Sequence, residues 1–228
     1  MKRLFSLISL MLVSLSISMM AQNHYEANIA VGGKAGYSLS RVMFTPSVPQ
    51  SMQGGFLIGG AFRYTEEKNF GIIAEFNIEQ RGWKEKFEGY DYKYNRSFTY
   101  VQIPLLTHIY FGNEHFNAFF NAGPELGFML GSHTSANFDY KNIGSIQDFP
   151  TTNRYTDQFT LKIKNRFDYG ISAGIGVEWV KDKKHSFNAE CRAYYGLGNV
   201  FSSHKTDPFS GSNSLSIMFS LGYFYRLK

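Results

Sequence analysis

Eight times along this chain, apolar residues alternate with polar or small ones over about the 9–11 residues that a tilted strand needs to cross a bilayer. Period-two alternation makes a β-strand with two unlike faces, and it fixes which residues share a face before it says what either face meets. In the last segment Leu215, Ile217, Phe219, Leu221, Tyr223 and Tyr225 lie on one side, and Ser216, Ser220, Gly222 and Arg226 on the other. In the fifth, Phe116, Ala118, Phe120, Ala122, Leu126, Phe128 and Leu130 oppose Asn117, Asn121, Gly123, Glu125 and Gly127. In the sixth, Phe167, Tyr169, Ile171, Ala173, Ile175, Val177 and Trp179 oppose Asp168, Gly170, Ser172, Gly174 and Glu178.

The connections alternate as regularly as the residues. TEEKN, GNEH and KDKKH form tight polar turns between segments two and three, four and five, and six and seven. The other connections are longer, the longest running from about Gly131 to Arg166. Short turns at one end and long loops at the other, with both termini on the short-turn side, predict an all-β fold: an eight-stranded antiparallel up-and-down transmembrane β-barrel. No repeat, linker or second domain interrupts residues 22–228.

Which face turns inward follows from the residues on each. The polar face carries Lys34, Arg63, Arg81 and Arg192 with Glu75, Glu79, Glu125, Asp168, Glu178 and Glu190. A soluble barrel would put these outside, around a broad apolar cavity. Two features oppose that arrangement. Aromatic residues cluster near both ends of the apolar face, as in the interfacial girdles of a lipid-facing wall: Tyr64, Phe70, Phe111, Phe116, Trp179, Phe187 and Tyr225 by the short turns, and Tyr37, Tyr100, Tyr169 and Tyr195 towards the long loops. Most strand glycines, among them Gly32, Gly36, Gly123, Gly174 and Gly176, fall on the polar face. An eight-stranded barrel has an interior just filled by side chains, so small residues belong inside. The ten charged residues are therefore expected in the lumen as a structural network, since buried charges persist when paired and hydrogen-bonded.

The N-terminus and the composition narrow the setting. Lys2 and Arg3, an apolar stretch from Leu4 to Ile17, and Met19-Met20-Ala21 read as a secretory signal peptide over residues 1–21. Nothing after it approaches the roughly 20 apolar residues of a membrane helix. A single cysteine, Cys191, leaves no disulfide framework. The formal charge of +5 falls to +3 once Lys2 and Arg3 leave with the signal, too even a balance to point to nucleic acid.

Chemistry-bearing motifs are missing: the chain has no nucleophile elbow, zinc spacing or phosphate loop, and no cofactor is expected. His108 on the polar face could join Glu125 or another carboxylate as an acid–base pair; a hydrogen-bonded lumen histidine is the simpler expectation. The aromatic run FEGYDYKYNRSFTY suggests an extended hairpin projecting beyond the membrane, or a carbohydrate- or protein-binding surface. Pro104 and Pro124 lie on consecutive strands and neither can donate to a ladder, which predicts a bulge or broken pairing there. A turn centred on Asn113 and Glu114 would set Pro104 opposite Gly123 and Pro124 opposite Ile103.

At YVQIPLLTHIYF (Tyr100 to Phe111), followed by AGPELGFML within the next strand, the chain resembles the PorT-like outer-membrane β-barrel family of Bacteroidetes-type bacteria. FDYGISAGIGVEW and RAYYGLGNV resemble that family's sixth and seventh strands. The resemblance implies residence in the bacterial outer membrane; that family's founding member is linked to type IX protein secretion, most of its relatives have no assigned activity, and no catalytic or ligand residues transfer. The expected partners are outer-membrane lipid and other envelope or secretion proteins met through the long loops, with no nucleic acid. The expected function is a non-enzymatic structural or accessory role in an envelope process, the alternative being a narrow small-solute channel.

Overall fold

A computed structural model describes residues 27–151 and 155–227, so the signal-peptide assignment lies outside the described residues. Eight long strands follow in order: β1 (Asn28–Thr45), β2 (Gln53–Glu67), β3 (Phe70–Glu85), β4 (Tyr94–Gly112), β5 (Phe116–Ala136), β6 (Phe167–Lys181), β7 (His185–Asn199) and β8 (Gly211–Arg226). Each pairs antiparallel with its sequence neighbours, and β8 pairs with β1, so the sheet closes into a ring. A two-residue piece, Gln50–Ser51, adds to the long-loop end of β3. Ala30 stands opposite Arg226, which puts both ends of the ring at the short-turn rim.

The alternation meets its surroundings as the residue types require. Phe120, Ile175 and Phe219 are 42%, 66% and 51% exposed on the outer wall, whereas Glu125 and Arg192 are 1% and 2% exposed inside. Small inward residues make that interior possible: a Cβ on Gly176 would run into the ring of Phe119, and one on Gly32 into the ring of Phe224. Exposed Phe70, Phe111, Phe116, Trp179 and Phe187 ring the short-turn end, and Tyr37, Tyr169 and Tyr195 the other. Tyr100 does not join that girdle. It is buried inside, in the same inward phase as Gln102 and Pro104.

The β4–β5 hairpin also departs from expectation. Asn113 Oδ1 accepts from the backbone N–H groups of His115 and Phe116, moving the turn one residue along. Pro104 consequently faces Glu125, and Ile103 faces Leu126. The shift is two residues in register, which preserves every face; alternation alone could not have detected it. The ladder interruptions do follow the prolines. Pairing of β3 with β4 skips from Ala74–Leu105 to Asn77–Gln102, around Pro104. Pairing of β4 with β5 skips from Pro104–Glu125 to Thr107–Ala122, around Pro124. Register is unchanged across both gaps, so each proline costs ladder contacts without a bulge; the shift in the β4–β5 ladder lies higher, between Thr99 and Tyr100.

Several strands outrun the membrane. At 19 and 21 residues, β4 and β5 are about twice the crossing length. Above the upper girdle the inward face becomes largely aromatic and apolar, with Glu85 and Arg96 still inside. Val42 and Phe44 of β1, Trp83 of β3, and Tyr94 and Phe98 of β4 point inward, while Arg41, Lys84, Asn95 and Ser97 point out. The long loops fold over this aromatic interior, adding Phe149, Phe159, Val200, Phe201 and Phe209 to one buried cluster. Trp83 sits at its centre, with ring centroids 5.3 Å from Phe44 and 5.8 Å from Phe201.

Candidate functional site in the lumen and its cap

The ten charged residues named from the sequence all enter the barrel, each at most 8% exposed, and they group into three tiers along its axis. Nearest the short turns, Arg63 on β2 donates through Nη1 to Glu178 Oε1 on β6 at 2.6 Å and through Nη2 to Ser186 Oγ at 3.4 Å. Its guanidinium lies 4.6 Å from the Phe224 ring. His108 shares this level, but its Nδ1 is 2.7 Å from Asn121 Oδ1, and the Asn121 amide donates to Glu190. The histidine is thus tied to an amide and does not hydrogen-bond Glu125.

The middle tier is neutral and tightly knit. Arg192 on β7 grips Glu75 on β3 with two nitrogens, each 2.8 Å from a carboxylate oxygen, and reaches Glu190 on its own strand. Lys34 Nζ lies 2.6 Å from Glu75 Oε2 and 3.7 Å from Glu190 Oε2. Asn77 donates a further bond to Glu75. Bidentate arginine–carboxylate pairs are the strong form of this contact, and here they join opposite walls of the tube.

The outer tier turns on Arg81. Its Nε lies 2.7 Å from Glu79, Nη2 2.5 Å from Glu125, and Nη1 3.4 Å from Asp168. Gln102 donates to Glu79, Ser172 donates to Glu125, and the guanidinium stacks 3.8 Å from the Tyr194 ring. One guanidinium therefore holds three carboxylates together. The amides and hydroxyls that complete the network (Asn77, Gln102, Asn121, Ser172) carry no charge signal, although they share the inward parity of the residues they serve.

Above Arg81 the polar lumen gives way to the aromatic cap. Tyr94 donates its hydroxyl to the Phe159 carbonyl at 3.1 Å, Arg96 Nη1 donates to the Leu161 carbonyl at 2.7 Å, and Gln158 donates to Glu85 at 3.1 Å. These bonds pin the long loop to β3 and β4. The aromatic run after Phe87 is mostly spent on this packing: Tyr92 lies against Phe138 and Phe149, and Tyr90 alone of the run is an exposed large ring. Sequence reasoning missed the cap, whose signal was the persistence of alternation past the girdle with the apolar face reversed.

A cavity of about 40 Å³ lies at the short-turn mouth, lined by Arg63, His108, Glu178, His185 and Arg226 among others. It has room for about two or three water molecules. Among the described residues, no group of three or more His, Cys, Asp or Glu is placed to hold a metal ion.

A closed eight-stranded ring with an apolar, girdled outer wall and a salt-bridged interior is an outer-membrane β-barrel. The chain belongs to the outer membrane protein beta-barrel domain family, whose model matches residues 20–202, and its place is the bacterial outer membrane. Among solved structures it is similar to the outer membrane protein OprG from Pseudomonas aeruginosa, 11% identical over 90% of this chain and 97% of that one, with a TM-score of 0.51. It is also similar to Neisserial surface protein A, 12% identical over 88% of this chain and 99% of that one, with a TM-score of 0.49. At such identities the likeness concerns the fold alone. No curated protein sequence matches the chain.

Proposed function

We propose that this barrel is closed to solutes and works without catalysis, as a structural or accessory component of an envelope process such as protein secretion, acting through its extracellular cap. The observation that carries this reading is the pair of side-chain clusters inside the tube. Three tiers of ion pairs cross the lumen, and an aromatic core lies above them under the long loops, which supports a closed tube. An eight-stranded ring leaves no aqueous channel once its interior is filled. The PorT-like resemblance at IPLL and AGPELG supports the secretion setting.

The experiment has two arms. Reconstituted barrel in a planar bilayer should stay at background conductance; stepwise currents altered by Arg63 or Glu125 substitution would favour the channel instead. Deleting the long loop would strip Phe149 and Phe159 from the cap, so the partner arm substitutes two exposed tyrosines instead, one of which, Tyr155, lies 5.7 Å from the Phe209 ring. Tyr90 and Tyr155 are exposed on the cap. Proteins that co-purify with the wild-type barrel from detergent-solubilised outer membranes should be lost from a Tyr90→Ser/Tyr155→Ser variant of unchanged fold. Identical co-purification would reject the cap as the working surface.

A further inference from the structure

The short-turn mouth of the barrel carries more positive charge than its carboxylates balance. The cavity of about 40 Å³ there is lined by Arg63, His108, Glu178, Lys183, Lys184 and Arg226 among others. A basin of about 400 Å³ adjoins it and shares Tyr110, Asn117, Val180, Lys183 and Arg226 with it, adding Lys68 and Glu114 to the lining. The backbone brings these residues together. The Arg226 N–H donates to the Lys184 carbonyl at 2.8 Å, Asn28 faces Thr65 across β1 and β2, and Asn117 faces Glu178 across β5 and β6.

Both acids of this lining are engaged. Glu178 takes Arg63 at 2.6 Å, and Glu114 lies 3.8 Å from Lys183. Among the described residues, Lys68, Lys184 and Arg226 make no ion pair. His108 has its Nδ1 on Asn121, which leaves Nε2 for the cavity it lines. Asn28 lines the same cavity, and its Oδ1 is buried without a hydrogen-bond partner among the described residues. A buried acceptor beside cations without acids calls for a ligand that brings an anionic oxygen and an N–H or O–H together.

We propose that this mouth binds a carboxylate that carries an N–H or O–H on the neighbouring carbon. The C-terminal residue of a peptide and a free α-hydroxy acid are the two sources of that chemistry. Size selects the anion: room for about two or three waters matches the three heavy atoms of a carboxylate group. Lys184 and Arg226 supply the opposite charge, Asn28 Oδ1 accepts from the neighbouring donor, and the basin takes the rest of the molecule. Short turns of such barrels face the periplasm, so the ligand arrives from that side. The site rests on the geometry of the mouth and not on the accessory role proposed above.

NMR of the histidine-labelled barrel in micelles tests it, with N-acetylalanine, its amide, propionate and lactate as probes at constant ionic strength. His108 and His185 line the mouth, whereas His133, opposite Ser97, and His204, beside Lys164, belong to the long-loop end and serve as internal controls. N-acetylalanine should shift the mouth histidines saturably and leave the other two in place. The amide lacks the charge and should shift none of them; propionate lacks the donor and should bind several-fold more weakly. Tighter binding of N-acetylalanine than of lactate assigns the site to peptide ends, and the reverse order assigns it to hydroxy acids. Arg226→Gln and Lys184→Gln should each weaken binding about fivefold, with unchanged His133 and His204 signals showing an intact barrel. Equal shifts with the amide would overturn the site. So would the same shifts with chloride alone, or a titration indifferent to both substitutions.

Discussion

The same strands behave oppositely on the two sides of the upper girdle. Within the membrane, β1 turns Lys34 and Ser38 inward and Val31, Ala35 and Tyr37 outward; above it, the same strand turns Val42 and Phe44 inward and Arg41 outward. On β3, Glu75 and Glu79 are inside below, and Trp83 is inside above. The pleat runs on unbroken along both strands, so nothing in the backbone causes the reversal. The surrounding medium does. Lipid leaves the lumen as the place for polar groups, whereas water returns apolar groups to the interior. One tube thus has two cores, an electrostatic one below and an aromatic one above, each built by the rule of its own solvent.

The comparison breaks most severely if the lower core is not held by its ion pairs. Arg81→Leu would leave Glu79, Glu125 and Asp168 around an apolar side chain. Stranding buried charge in this way costs about 3–5 kcal/mol. Urea unfolding in micelles should show that loss, and a change below about 1 kcal/mol would mean that the carboxylates share protons and need no cation. A matched pair sharpens the contrast of surfaces. Ile175→Arg, on the outer wall in mid-membrane, should cost about 2–4 kcal/mol. Ser97→Arg, on the outer face of the extracellular part, should stay within about 0.5 kcal/mol. Equal costs would show that the two outer faces meet the same medium.

The two cores were not equally legible. The wall could be read because lipid imposes one rule on eight segments, and parity then places Lys34, Arg63, Glu125 and Arg192 inside without any knowledge of register. Partners are a different matter. Arg192 and Glu75 lie 117 residues apart, and only closure of the ring brings them together. Register itself is visible only to parity, which is why a turn set by the Asn113 side chain could move Pro104 by two positions unnoticed. The cap was least legible. Val42 and Phe44 continue the strand with apolar residues in the polar phase, and Phe149 and Phe159 arrive from a loop without period, so only the fold shows that they share a core. Tyr100 marks the boundary: a tyrosine at girdle height reads as interfacial until its parity is followed strictly.

The mildest test sharpens the upper core alone. Tyr94 lies in the extracellular extension, and burial, the largest influence on it, pushes its hydroxyl up to about 12. A solvated tyrosine ionises near 10, so at alkaline pH the opened cap loses this proton first. Between about 10 and 12 the open form is therefore favoured and cap stability falls as pH rises, while below 10 the contribution is intact. Tyr94→Phe removes the titrating group together with its bond to the Phe159 carbonyl, a loss of about 1 kcal/mol at neutral pH. Wild type should show loop cleavage by an alkali-stable protease rising across that window, with the barrel itself uncut. The variant should start slightly more susceptible and lack the rise that belongs to Tyr94. If both proteins open along the same alkaline curve, the cap is held by its ring packing and the Tyr94 hydroxyl contributes nothing to keeping the loop down.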